Sequence, residues 1–373
     1  MTITAPERDA APTSVRTNPP DSPEADAADR PRPLRSRTLD DIACLGASAV
    51  GSFAFTWLCY EYLLPFSGLI GFIVGWYFAF LALYIGVTSL SNPRTVVVDR
   101  IASTAIQGAA VLTGVALVSA VAYPFFRGYL ALEHANFYSQ DMGGVSPTRG
   151  LDSGGIWHAI IGTLIEIGIA VVVTLPLGIG TAIYMTEVGG RGAVVVRTVV
   201  EAMTALPSII AGLFVFTVLI VDLGFPQDGF AAAMALSIMM LPIMARASEV
   251  VLRVVPGGLR EASQALGASR WQTVWRVVLP TARPGLATAL ILAIARGVGE
   301  TSPVLLTSGA STFFNKNPFS EPMNSLPLFV YEAVRSGEPI YIERGFGAAC
   351  VLIALVLVLF IVTRLLARQR VSR

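Results

Sequence analysis

Of the 373 residues, 54% are hydrophobic and only 14% are charged, with a formal net charge of +1. That balance excludes an ordinary soluble domain, and the near-zero net charge says nothing about partners. What charge there is must be read by where it falls.

Residues 1–38 are rich in Pro, Ala, Asp, Arg and Ser and carry no apolar run, so they read as a disordered, solvated tail rather than a cleaved leader. Beyond them, apolar runs of about 20 residues recur, the length a helix needs to cross a ~30 Å hydrocarbon core. Eight spans are predicted, at about 42–64, 66–90, 101–123, 156–186, 194–220, 230–250, 284–308 and 346–366. The first two meet at Pro65 with almost no loop and form an N-terminal transmembrane hairpin, 39–95, ahead of a six-span domain at 101–373. Cys44, Cys59 and Cys350 lie inside apolar runs without paired spacing, and His134 and His158 are far apart, so no metal or disulfide framework is expected.

Basic residues gather on the cytoplasmic side of membrane proteins. Arg30, Arg32, Arg35 and Arg37 precede the first span, which places the N-terminus inside. Alternation then puts Arg94, Arg100 and Arg191 inside, together with the loop holding Arg253, Arg260, Arg270, Arg276 and Arg283, and finally Arg364, Arg368, Arg370 and Arg373. The opposite loops are poorer in cations: Asp222 and Asp228 stand alone, and 309–345 mixes Lys316, Arg335 and Arg344 with acids and amides. The expected topology is a multi-pass membrane protein with both termini cytoplasmic.

The basic loop at about 256–283 has internal order. Pro256-Gly257-Gly258 ends one helix, and Leu259, Ala262 and Leu266 then recur on one face of a short helix that stops at Gly267. Ser269 with Gln272 makes a capping box for a second short helix, in which Trp271, Val274, Trp275 and Val278 follow helical spacing and which Pro280 closes. Two short helices at a fixed angle make a knob; an amphipathic segment resting in the headgroup region is the alternative.

Glu261-Ala262-Ser263, Gly267, Val277, Leu279 and Pro280 resemble the EAA loop of ABC importer permeases, E-A-A-x3-G-x9-I-x-L-P, with Ser263 and Val277 as mild departures. The resemblance implies that this loop is the coupling helix seated on a separate ATP-hydrolysing subunit, with Glu261, Ala262, Gly267, Leu279 and Pro280 as its coupling positions. It also implies an all-α fold with a six-span, MetI-like permease core.

Arg296-Gly297-Val298-Gly299-Glu300 falls within the span at 284–308. A charge at mid-membrane costs roughly 2.5–3.5 kcal/mol on insertion scales, so such residues face a bundle interior or a wet pathway. The i, i+4 spacing allows Arg296 and Glu300 to pair, the glycines admit close approach, and Pro303 should loosen the following turn. A forked guanidinium suits a tetrahedral oxyanion, and a nearby carboxylate keeps the anion from being trapped. Arg246 is a second candidate on the exit side, or an interfacial anchor. An ion pair holding two spans together is the alternative for Arg296 and Glu300. Arg197 and Glu201 make another i, i+4 pair, read as structural, and Glu166 is left without a role.

Arg296–Thr307 (R-G-V-G-E-T-S-P-V-L-L-T) and Leu206–Phe214 (L-P-S-I-I-A-G-L-F) are similar to elements of phosphate-import permeases, the Thr-Ser-Pro continuation favouring a PstA-like subunit. The resemblance covers about 101–366. It implies a PstC-like permease partner, a PstB-like ATPase dimer holding ATP and Mg²⁺, a PstS-like phosphate-binding protein, and inorganic phosphate as cargo. A P-loop needs a lysine, and the sole lysine is Lys316, preceded by Asn315, so no Walker A sequence exists here and no cofactor is expected in this chain. The alternatives left open are the PstC-like half, another oxyanion, and a self-sufficient secondary transporter or channel. A membrane enzyme has no nucleophile–base or metal motif to rest on.

Overall fold

The computed structural model describes residues 39–63 and 68–367; the predicted tail, the Pro65 junction, and Arg368, Arg370 and Arg373 lie outside the described residues. Two compact units divide the chain at Val115/Ala116. That division falls inside a long helix, whereas the sequence reading separated hairpin from core between 95 and 101.

In the first unit, α1 (Leu39–Leu58) runs on through a π turn at Cys59–Leu63, α2 spans Leu69–Ser91, and α3 (Arg94–Leu132) begins. Aromatic residues lock α1 to α2. Trp76 Nε1 donates to Ser52 Oγ (3.1 Å) and Ala49 O (3.3 Å), and Phe53 stands edge-on to both Phe72 and Trp76. Gly71 makes room at the seam, where an added Cβ would stand 2.7 Å from the Tyr60 hydroxyl, as expected where lipid provides no hydrophobic drive between helices.

The second unit continues with α4 (Ala135–Ser139), α5 (Trp157–Ile183, with a π turn Tyr184–Val188), α6 (Gly190–Thr204), α7 (Ser208–Val215, with a π turn Phe216–Asp222) and α8 (Gly229–Val254). Then come α9 (Gly257–Ala265), α10 (Arg270–Thr273, with a π turn Val274–Val278), α11 (Leu279–Val298), α12 (Ser302–Thr307), α13 (Leu326–Arg335) and α14 (Pro339–Ala367). α8 is the central element. Its Ala231, Ala232, Ala233 and Ala235 are all sealed from solvent, and the small Ala232 lies in the core shared with α5. Ile167, Ala170, Leu236, Met240, Met244, Ala289, Ala293 and Val298 form the core where α5, α8 and α11 meet.

α5 and α8 run parallel. Gly162 and Gly229 both abut Met323 at one end, while Gly178 packs on Met244 further along. The chain must therefore return across the full thickness between them. The predicted span 194–220 is in fact two helices, α6 and α7, bent by 104° at Ala205–Pro207. Arg197 fastens α6 to Glu249 and Met185 at the arginine-rich end, so α7 and its π turn alone make the crossing. Pro207, with no N–H to give and a restricted residue before it, breaks the helix. Among the described residues seven helices are long and apolar enough to cross a membrane, and the bent pair, taken as one broken span, brings the crossings to eight. The chain is thus an all-α, multi-pass membrane protein, a six-span core following an N-terminal hairpin.

Other boundaries move as well. Pro280 does not close the second cassette helix: a π turn over Val274–Val278 passes α10 straight into α11, so Arg270–Val298 is one apolar element. The wider π ring shifts the hydrogen-bond register, and Pro280 falls in the first turn of α11, where its missing N–H is tolerated. The last span begins at Pro339 rather than 346, and Arg344 is not a loop residue. It is 1% exposed on α14, donating to the carbonyls of Arg149 (3.1 Å), Gly150 (2.6 Å) and Ser153 (2.7 Å). That arginine pins the 140–156 loop, which Phe314 N→Asp141 Oδ2 (2.9 Å) ties to the 309–325 loop.

Candidate functional site

The arginine-rich end holds the cassette. α9 ends as read: Gly267 adopts φ +84 with open space around it, so the glycine is required by the backbone and not by crowding. The capping box at Ser269 and Gln272 is formed in both directions. Ser263, the departure from the EAA pattern, has its own bond: its hydroxyl lies 3.0 Å from that of Thr273, stapling α9 to α10. Val274 and Val278 are buried, whereas Trp271 and Trp275 stay exposed and pack edge-on at 5.6 Å. Glu261, Ala262 and Leu266 are exposed as well, so α9 presents a mixed polar and apolar face. Leu279 and Pro280 are half-buried at the start of α11 and do not share that face.

Behind the cassette lies a lattice of arginines and glutamates. Glu249, 1% exposed, accepts from Arg197 Nε (2.9 Å), Arg246 Nη1 (2.7 Å) and Arg253 Nη2 (2.6 Å). Arg246 also reaches Glu201 at 3.1 Å. The expected Arg197–Glu201 pair is therefore not the one that forms: each side chain bonds into α8 instead, because α6 lies across that helix and offers a shorter reach than its own next turn. Arg246, the candidate exit cation, has both terminal nitrogens on carboxylates. Sequence reasoning missed Glu249, although Arg246 and Arg253 flank it at i−3 and i+4, the spacing that marks one helix face. It also missed Arg260, which bonds Glu187 73 positions away (Nη2–Oε1 2.8 Å), a pairing with no local signal.

At mid-depth, Arg296 Nε meets Glu300 Oε1 at 2.8 Å as the spacing predicts. Arg296 stands in the last turn of α11 and Glu300 in the break that follows it, so the pair bridges the end of that helix. α11 stops at Val298, and α12 starts at Ser302 with Pro303 in its first turn. Pro303 therefore opens a new helix after a break rather than loosening a continuous one. Gly297 packs on Met240 and Ile167, about midway along α8 and α5, which sets the depth of the pair. The two side chains differ in access: Arg296 is 57% exposed and Glu300 10%. Glu166 is buried on α5, its Oε1 without a hydrogen bond from the protein. The two segments that resemble phosphate permeases touch, Gly212 of α7 lying against Pro303 of α12.

Residues 174–372 match the family described as "Binding-protein-dependent transport system inner membrane component". A "Phosphate transport system permease protein PstA 1" from Mycobacterium tuberculosis (strain CDC 1551 / Oshkosh) is 44% identical over 231 residues, 62% of this chain and 75% of the relative. The "Phosphate transport system permease protein PstA" of Haemophilus influenzae is 33% identical over 221 residues, 59% of this chain and 78% of its own. Among solved structures, a chain of a bacterial alginate ABC transporter in complex with an alginate pentasaccharide-bound periplasmic protein aligns with TM-score 0.52 at 17% identity. That alignment covers 72% of this chain and 96% of the other, and it shows the fold.

Proposed function

The chain belongs to the binding-protein-dependent transport system inner membrane component family, and from that membership we propose that it is the PstA-like permease of an ATP-driven importer of inorganic phosphate. The PstA relatives support phosphate as cargo. One observation carries the reading of the site: the Arg296 side chain is more than half exposed at mid-depth. Facing lipid, that charge would cost roughly 2.5–3.5 kcal/mol. A second permease covering it turns the same charge into one wall of a shared pathway, where Arg296 meets the phosphate and Glu300 limits its residence. Arg246 serves at the cytoplasmic end once Glu201 releases it. α9 and α10, with Glu261, Ala262 and Gly267 at the contact and Leu279 and Pro280 leading into α11, receive the stroke of a separate ATPase that binds ATP and Mg²⁺. A phosphate-binding protein delivers cargo at the opposite face.

The test is uptake of labelled phosphate by vesicles reconstituted with this chain, its partner permease, the ATPase and the binding protein. ATP-dependent phosphate uptake that labelled sulfate does not match is expected. Equal uptake without the ATPase would identify a self-sufficient carrier instead, and a preference for sulfate would reassign the cargo.

A further inference from the structure

Arg260 lies on α9 beside Glu261 and reaches two other helices at once. Its Nε and Nη2 donate to Glu187 Oε1 at 3.1 and 2.8 Å. Its Nη1 donates to Val255 O (2.7 Å) and its Nη2 to Leu252 O (2.9 Å). The carbonyls belong to the end of α8, where a helix leaves its last acceptors without intrahelical partners. Glu187 lies in the π turn that ends α5, just ahead of Gly189 and Gly190, both at positive φ. The chain itself joins the cassette to α8 and to α11. α5 has no such covalent link, and it supplies Ile167, which packs against Gly297 beside Arg296. Ala182 also shares an apolar cluster with Leu252 and Val278 at this end, but apolar packing is non-directional. A forked guanidinium on a carboxylate fixes direction as well as distance.

We propose that the Arg260–Glu187 pair is the strut by which displacement of the cassette moves α5, a positioning pair for the transport cycle. The inference rests on the cassette being the ATPase contact. Without the strut, the cassette still docks and α8 and α11 still follow it, but the Glu187 end of α5 is no longer held in step with the cassette and hydrolysis runs without delivering cargo.

The experiment measures phosphate taken up per ATP hydrolysed by the reconstituted complex, with the amount of assembled complex determined in parallel. Arg260→Gln and Glu187→Gln are each expected to assemble normally and to keep hydrolysis, while phosphate per ATP falls by about fivefold or more, within the size of a typical coupling between two sites. Glu187→Cys with Arg260→Cys, in a background lacking the native cysteines, should regain coupling when bridged by a short bifunctional thiol reagent and not before. An unchanged ratio in either glutamine variant overturns the strut, as does uptake that falls only in step with assembled complex. Failure of the underlying reading looks different: the unaltered complex would show no ATP-dependent uptake.

Discussion

A methyl group built on Gly212 would stand 2.6 Å from Pro303 Cα and 3.0 Å from Pro303 O. α7 is therefore seated directly on the first turn of α12. Gly212→Ala should force the helices apart, an overpacking cost of about 1–3 kcal/mol. Gly299→Ala is the control: its nearest neighbours would be 3.9 Å away and its φ is −89. The expected result is a lower melting temperature in detergent, with lost phosphate uptake, for Gly212→Ala alone. Equal behaviour of the two variants would show that the contact is dispensable.

Arg296→Gln removes the exposed cation and should reduce uptake by at least about tenfold while leaving the subunit folded and membrane-inserted, since about 1.4 kcal/mol of lost anion stabilisation already gives that factor. Arg296→Leu with Glu300→Leu separates pathway from packing. Apolar replacement of an ion pair can be neutral for a fold, so a double variant that assembles but does not transport supports the pathway assignment. Full transport by the same variant would remove both residues from it.

For the cassette, Gly267→Pro should abolish uptake and co-purification of the ATPase, because proline cannot reach φ +84. Gly267→Ala can reach it at a cost of about 1–2 kcal/mol and should be intermediate. Gly257→Ala, at an ordinary φ with open space, should behave as the parent. Normal ATPase capture by Gly267→Pro would sever the cassette from coupling.

Orientation is checked with single cysteines in a background lacking Cys44, Cys59 and Cys350. Ser320 is exposed in the far-end loop, unlike the buried Ser325, and Gln264 is exposed on α9. With the arginine-rich end cytoplasmic, an impermeant thiol reagent outside intact cells should label Ser320→Cys and spare Gln264→Cys. The opposite pattern would invert the topology.

Hydropathy made the spans legible because a crossing helix must satisfy its own backbone and bury little else. Local signals carried the cassette for a similar reason: the Ser269–Gln272 box, the positive φ of Gly267 and the i, i+4 pair Arg296–Glu300 all act within a few residues. What escaped depends on how the chain returns. Nothing within 194–220 shows that α6 must lie across α8, so Arg197 was given the wrong partner. The π turn at Val274–Val278 has no propensity signature, and without it Pro280 reads as a stop. Arg260 and Glu187 meet through tertiary packing alone.

The crossing made by α7 has a further consequence. Ser208–Asp222 is 15 residues, which at helical rise reaches only about 22 Å, against a hydrocarbon core of ~30 Å. Ile209, Ile210, Leu213, Phe214 and Val221 nevertheless point outward along it. Acyl chains that lie beside α7 must shorten or tilt to meet that length, whereas a partner permease covering these side chains removes the mismatch. Membrane thickness thereby becomes a variable of the same helix whose Gly212 holds the mid-membrane break in place.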